Sequence, residues 1–427
     1  MIDDIMPPQK PKLQRDKPKR IELMPKPLAA PLHEQARAVE PGFKTPEETA
    51  AEAPTPTEPT LVEHDTPSRK WYQWRPTWPP TRKQAIVYGV LAVVLAFGVG
   101  AGWTLTHHKR AVVAVTTKKT LKKVAPPVPI YSKLTGLQIT DASLNQKPVT
   151  AVMIENSLDA RPQSGLGDAG VVFEAVAEGG VTRFMAVYQD TAPTNLGPVR
   201  SARPYYVSWA LGFDAAYGHV GGSEDALNDI KAWGVHDMNQ FYNGGYYHRI
   251  SSRDAPHNVY TGVDVLNQLE AKNGYTSTYT GFTHATKEAP SKQPSPTSIS
   301  LSLSGPLYDP SYTYNPATNS YDRAENGAPH VDANTNKQLS PKVVIAMVVP
   351  LGRGALDASG AYYSDYTTIG TGQAYIFQNG TLTQATWTKS SNNAQIAFTD
   401  ASGQPIALAP GQAWITAVSS AGGVHYQ

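Results

Sequence analysis

Residues 85–105 (AIVYGVLAVVLAFGVGAGWTL) carry no charged side chain, and this stretch divides the 427-residue chain into two unequal parts. Its 21 residues, at about 1.5 Å of helical rise each, reach about 30 Å, the thickness of a bilayer's hydrocarbon core. Four glycines would weaken a helix in water but are common in membrane helices. Trp71, Tyr72, Trp74 and Trp78 precede the stretch and Trp103 lies near its end, as interfacial anchors do. Arg82, Lys83, Lys109 and Arg110 bracket it. The reading is a single-pass transmembrane helix over 85–106. A cleaved signal peptide is shorter and lies at the start of a chain. A buried soluble helix is the plainer alternative, and the flanking charges argue against it.

Orientation is weakly encoded. Arg69, Lys70, Arg75, Arg82 and Lys83 stand on one side, and Lys109, Arg110, Lys118, Lys119, Lys122 and Lys123 on the other, so the positive-inside rule is nearly silent. A single anchor near the start of a chain commonly leads the bulk outward. The larger part is also rich in Tyr, Thr, Ser, Asn and Gly and poor in Lys. Both points favour a cytoplasmic tail, with residues 107–427 extracytoplasmic.

Residues 1–84 hold 16 of the 36 prolines and show no apolar periodicity. Such a segment cannot bury enough apolar surface to offset its backbone entropy, so a disordered Pro-rich tail is expected. Lys10, Lys12, Arg15, Lys17, Lys19 and Arg20 form a basic run, and Glu47, Glu48, Glu52 and Glu58 an acidic one. They read as a solvated spacer, or as a basic arm for anionic lipid or a partner. Residues 107–130 form a linker, basic and then Pro-rich. Net charge is +2, which gives no reason to expect a nucleic-acid partner. The absence of cysteine excludes disulfides, Cys-ligated zinc, a thiol nucleophile and a lipid-modified N-terminal Cys.

Beyond the linker, residues 131–285 alternate strand and helix patterns and read as an α+β or α/β domain. PVTAVMIEN and TRFMAVYQD read as strands, and AGVVFEAVAEGG as a strand or short helix. SARPYYVSWALGF reads as a helix with Ser201 near its cap. SEDALNDIKAW reads as a helix capped by Ser223, and VDVLNQLEAKNG as one stopped by Gly274. A Pro/Ser spacer covers 286–300. From 301 to 427 nearly everything reads as strand, with Asn379-Gly380 as a hairpin turn. Either a separate β-rich domain or an extension of the first unit's sheet satisfies this pattern.

No nucleophile elbow, metalloprotease helix, P-loop or dinucleotide fingerprint is present, and no cofactor is expected. Candidate chemistry lies between 155 and 260. Glu174 and Glu178 share a face in either a helix or a strand, with Arg183 close behind. Arg200 and Arg203 flank Ser201 before a helix start, where guanidinium forks and free N–H groups make an anion site. The alternative is a turn held by Arg–carboxylate bridges. His219 and Ser223 straddle two glycines, which allow close approach of a ligand, although Ser223 also suits a plain cap and His219 a hydrogen-bonded buried histidine. Arg253, His257 and Asn258 lie in a Pro-containing loop with His248 and Arg249, fit to line a cleft. No histidine pair has diagnostic metal spacing, so no metal is expected.

These same residues carry a resemblance. The blocks ARPQSGLGDAGVVFEAVAEGGVTRFMAVYQD, LGPVRSARPYY, YGHVGGS and DAPHNVYTG, in this order, resemble the N-terminal domain of the bacterial YerB-like lipoprotein family. YTYNPATNSYDRAENGAPHVDANTNKQL, GTGQAYIFQNGTLTQATWTK and GQPIALAPGQAWI are similar to its C-terminal domain. The family is catalogued as a domain of unknown function, so the resemblance implies an exported location and transfers no activity. Many relatives look like lipoproteins with a lipid-modified Cys, and here a transmembrane helix is expected in its place.

The expectation is therefore a membrane-anchored, extracytoplasmic cell-envelope protein. Its Arg161, Arg183, Arg200, Arg203 and His257, with Ser201, His219, Ser223, Arg253 and Asn258 around them, would bind an anionic wall glycan or peptide. Arg200→Ala and Arg203→Ala would then abolish binding with little loss of stability. An envelope hydrolase using Glu178 or His219 as general acid or base is the second reading. A scaffold docking another envelope protein is the third.

Overall fold

The computed structural model describes residues 82–105, 128–356 and 360–427. The chain divides into one unit ending at Lys118 and another from Lys119 to Gln427. In the first, Arg82–Leu105 is an α-helix, α1, of 24 residues. Its Ile86, Val87, Tyr88, Val90 and Leu91 are all more than half exposed. Among the described residues no helix is long and apolar enough to cross a membrane. The side chains of 95–105, on which the span expected over 85–106 depends, lie outside the described set. So do the expected tail up to residue 81 and the linker from 107 to 127, while residues 82–84 already belong to α1.

The second unit is β-rich with few helices. Its first half supplies strands β1 (Thr150–Glu155), β2 (Val171–Glu178), β3 (Val181–Tyr188), β4 (Ala216–His219) and β5 (His236–Asn239). Helices α2 (Pro204–Leu211), α3 (Glu224–Ala232) and α4 (Val263–Asn273) lie between and after them. The second half supplies β6 (Ser298–Leu301), β7 (Pro310–Asn315), β8 (Ser320–Glu325), β9 (Val343–Val348), β10 (Leu351–Leu356) and β11 (Tyr362–Tyr366). It continues with β12 (Gly370–Gln378), β13 (Thr381–Lys389), β14 (Ala397–Thr399), β15 (Ala413–Val418) and β16 (Val424–Tyr426).

One mixed sheet runs β14-β13-β12-β9-β15-β2-β3-β1-β4-β5, and β11, paired with β10, joins it at β2. The two halves meet inside this sheet, because β15 lies parallel to both β9 and β2. Of the arrangements left open by the sequence, the C-terminal strands thus extend the first sheet. A second sheet is formed by Ala328–Pro329, β8, β7, β6 and β16.

Alternation along the strands loads both faces of the main sheet. Ala151, Met153, Phe173, Met185, Ile345 and Ile415 join the core that includes Tyr205, Tyr206 and Trp209 of α2. Val152, Ile154, Phe184, Val344 and Trp414 join the opposite core, with Leu266 and Leu269 of α4 and Tyr312 and Tyr321 of the second sheet. Local signals behave as their chemistry dictates. The Ser223 hydroxyl accepts from the Ala226 N–H at the start of α3, and Gly274 ends α4 in the left-handed region. Asn379 and Gly380, with φ of 55° and 69°, turn β12 into β13. AGVVFEAVAEGG resolves as strand β2. The cap position of α2 is Arg203, with no side-chain capping bond, and Pro204 begins the helix, so Ser201 takes no part in capping.

Candidate functional site

Pairing directions make β1, β2, β4, β5, β9 and β15 all run the same way. Open sheets with parallel strands place ligand sites outside their carboxyl ends, and most of the expected site residues lie along that edge. There, residues 197–203 insert between the ends of β1 and β4. The Glu155 N–H donates to the Pro198 carbonyl, the Arg200 N–H to Met153, and the Val220 N–H to Arg200. Gly197 is required, since its φ is 156° and a Cβ there would meet the Tyr260 ring at 2.8 Å.

Two carboxylates organise the edge. Both oxygens of Glu178 are taken by guanidinium groups. Arg183 binds one, and Arg203 donates to the other from Nε at 3.1 Å and from Nη2 at 2.8 Å. Arg183 also donates to the Ser201 carbonyl at 3.1 Å, and Arg203 to that of Ala202 at 2.6 Å. The Tyr363 ring lies 4.6 Å from the Arg203 guanidinium carbon. Burial, and after it the neighbouring Arg183, push Arg203 below its ordinary pKa, while Glu178 opposes the shift.

Glu155, at the end of β1, is the second centre, and its own strand partner is Arg183. Its Oε1 lies 3.2 Å from Arg200 Nε and 3.0 Å from His257 Nδ1, and it accepts from the Ser157 hydroxyl at 3.1 Å. His257 Nδ1 is also 3.3 Å from Ser157 Oγ, and its Nε2 is 3.8 Å from Asp159 Oδ2. Among the described residues two atoms here have no hydrogen-bond partner, Glu155 Oε2 and Arg200 Nε, the latter off the axis of a bond to Oε1. Glu155 is buried, while the Arg200 and His257 side chains retain 25% and 21% of their surface. Such orphans are rare in folded proteins and mark places where a water or ligand belongs.

The other expected residues sit apart from these two centres. Arg253 donates to the carbonyls of Asp159 at 3.0 Å and Pro162 at 2.7 Å. Asn258 accepts from Arg249 and donates to Ile250 and Arg253, so both hold the loop in shape. Ser223 is a helix cap. His219 is fully buried, its Nδ1 2.7 Å from the Gly221 carbonyl and its Nε2 2.9 Å from Asp237. Glu178 thus has both carboxylate oxygens on arginines, and His219 has both ring nitrogens against oxygen atoms of the chain. Among the described residues no group of His, Asp or Glu is arranged to hold a metal.

Glu174 and Glu178 do not share a face. The β2–β3 register shifts between Val176 and Glu178, and this bulge reverses the alternation. Glu174 therefore points into the opposite core, where Arg323 donates to it at 3.0 Å and Trp414 at 3.1 Å. Arg161 joins that same network, 3.3 Å from Glu325 and donating to Asn156 and Leu307. The sequence reading missed Glu155 as a centre. Its signal was present in a run of buried strand residues that ends in Glu-Asn.

The comparisons with known proteins agree with this architecture. Residues 134–276 match the family model described as "Protein of unknown function (DUF3048) N-terminal domain", and residues 299–415 match its C-terminal domain. "Putative lipoprotein YerB" of Bacillus subtilis (strain 168) is 30% identical over 303 residues, covering 70% of this chain and 87% of the relative. The crystal structure of YerB from Bacillus subtilis is similar with a TM-score of 0.62 at 27% identity, covering 70% of this chain and 99% of that one. The chain belongs to the YerB-like DUF3048 family.

Proposed function

We propose that this is a membrane-anchored envelope protein whose sheet edge binds a wall glycan or peptide at Glu155, Arg200 and His257. The observation that carries the reading is the orphaned pair, Glu155 Oε2 as acceptor and Arg200 Nε as donor, where the Arg200 and His257 side chains are partly exposed. An amide offers a matching pair, with its N–H for the carboxylate and its C=O for the guanidinium. N-acetylated sugars and peptides both carry one, and a peptide carboxylate would also suit Arg200. The arginines expected to need an outside anion already have Glu178 and Glu155, so polar complementarity replaces net negative charge as the requirement.

The anchor in this reading is α1, helical through the uncharged stretch 85–105. With it, the N-terminal tail is cytoplasmic and residues 107–427 lie outside. The relative's description as a lipoprotein supports an envelope location. The test is to incubate residues 119–427 with purified cell-wall sacculi, pellet them, and analyse the supernatant by mass spectrometry. Protein in the pellet, lost on Arg200→Ala, is the expected result. Released wall fragments would instead make it a hydrolase. Protein left in the supernatant without fragments would favour docking to another envelope protein.

A further inference from the structure

A pocket of about 320 Å³ opens where the two halves meet, lined by Leu158, Arg161 and Pro162 from one and Glu325, Ala328 and Val331 from the other, with His330 at its side. Its size falls at the lower end for small-molecule sites. Glu325 is the unusual wall, with 2% of its side chain exposed. Its Oε1 accepts from Asn156 at 2.7 Å and faces Arg161 at 3.3 Å and Arg323 at 3.5 Å. Among the described residues its Oε2 has no hydrogen-bond partner.

His330 Nδ1 lies 3.7 Å from Oε2, and it cannot help. That nitrogen accepts from Arg323 Nε at 2.9 Å, so the ring's single proton sits on Nε2, directed at Gln163 Oε1 at 2.9 Å. Burial, with Arg323 and Arg161 nearby, holds His330 well below its ordinary pKa and keeps it neutral. A buried carboxylate oxygen thus lacks a donor. Arg161 presents the opposite need. Its bonds use Nε and Nη2, and among the described residues its Nη1 makes none. A zwitterion offers one group to each of these two needs, an ammonium for Glu325 Oε2 and a carboxylate for Arg161 Nη1, and adds no net charge to a buried site.

We infer that this pocket, separate from the Glu155–Arg200 edge, binds a free amino acid. Its ammonium group meets Glu325 Oε2, its carboxylate meets Arg161 Nη1, and its apolar side chain lies against Leu158, Pro162 and Val331.

The experiment is calorimetric titration of residues 119–427 with leucine, valine and phenylalanine of both hands, and with N-acetyl-leucine and leucinamide, which each remove one charge. That unit has its own core, and the solved relative corresponds to 70% of this chain. The expected result is saturable binding of at least one apolar amino acid, weakened about tenfold or more by either blocked form, the equivalent of about 1.4 kcal/mol. Glu325→Gln should also abolish binding. Because that change disturbs a buried network, Ala328→Trp serves as the second variant, filling the pocket from an exposed position and abolishing binding with the fold intact. The inference is overturned if no amino acid binds at millimolar concentration. It is equally overturned if the blocked forms bind as well as leucine, or if Ala328→Trp binds normally.

Discussion

At the residue scale, the arginines of the sheet edge divide into two kinds. Arg183 and Arg203 are buried and share Glu178, whereas Arg200 keeps a quarter of its side-chain surface. Removing one partner of a buried ion pair strands the other, at about 3–5 kcal/mol. Glu178→Ala should therefore destabilise the protein by about that amount in urea unfolding, because it leaves two guanidinium groups unpaired. Arg203→Ala should cost about 2–3 kcal/mol, because its buried charged hydrogen bonds are lost while Arg183 still pairs Glu178, against the sequence-based expectation of little loss. Arg200→Ala should cost about 1 kcal/mol, since water can reach its surroundings. Equal losses at Arg200 and Arg203 would contradict this division. The sequence groups Arg183, Arg200 and Arg203 as candidates for one site. It sets Glu178 beside Arg183, but it does not link Glu178 to Arg203 or Glu155 to Arg200, because those pairings run through strand register and a bulge, and neither is visible as a spacing.

At the element scale, local signals carried most of the secondary structure. The Ser223 cap, the Gly274 stop and the Asn379-Gly380 turn each act over a few residues, and each forms as expected. Pairing over long separations, such as β15 with β2, has no local signature and stayed open. Helix α4 adds a pH-dependent element. Its Glu270 is buried and accepts from the Thr150 hydroxyl at 2.6 Å, and burial raises its pKa from 4.5 to about 7. The folded state then binds this proton more tightly than the unfolded one. The stabilisation is full below about pH 4.5, the unfolded value, and is lost as pH rises through about 7. Melting temperature should fall by a few degrees across that window, and Glu270→Gln should remove this part of the fall. A Glu270→Gln profile identical to wild type would refute the assignment.

At the scale of the whole molecule, the shared sheet makes the halves interdependent. β2 and β9 sit on either side of β15, and the buried pair Arg323–Glu174 joins one half to the other. Residues 131–285 expressed alone should lack cooperative unfolding, and co-expression with 286–427 should restore it. A cooperative melt of the first half alone would show that the halves are autonomous. The proposed ligand site lies on the edge that this sheet builds. Its most direct test is titration of soluble cell-wall fragments into residues 119–427, with Arg200→Ala and Glu155→Gln compared with wild type at matched folded fraction. Saturable binding that both variants lose is the predicted result. Binding unchanged in both variants, or none in the wild type, would contradict the account.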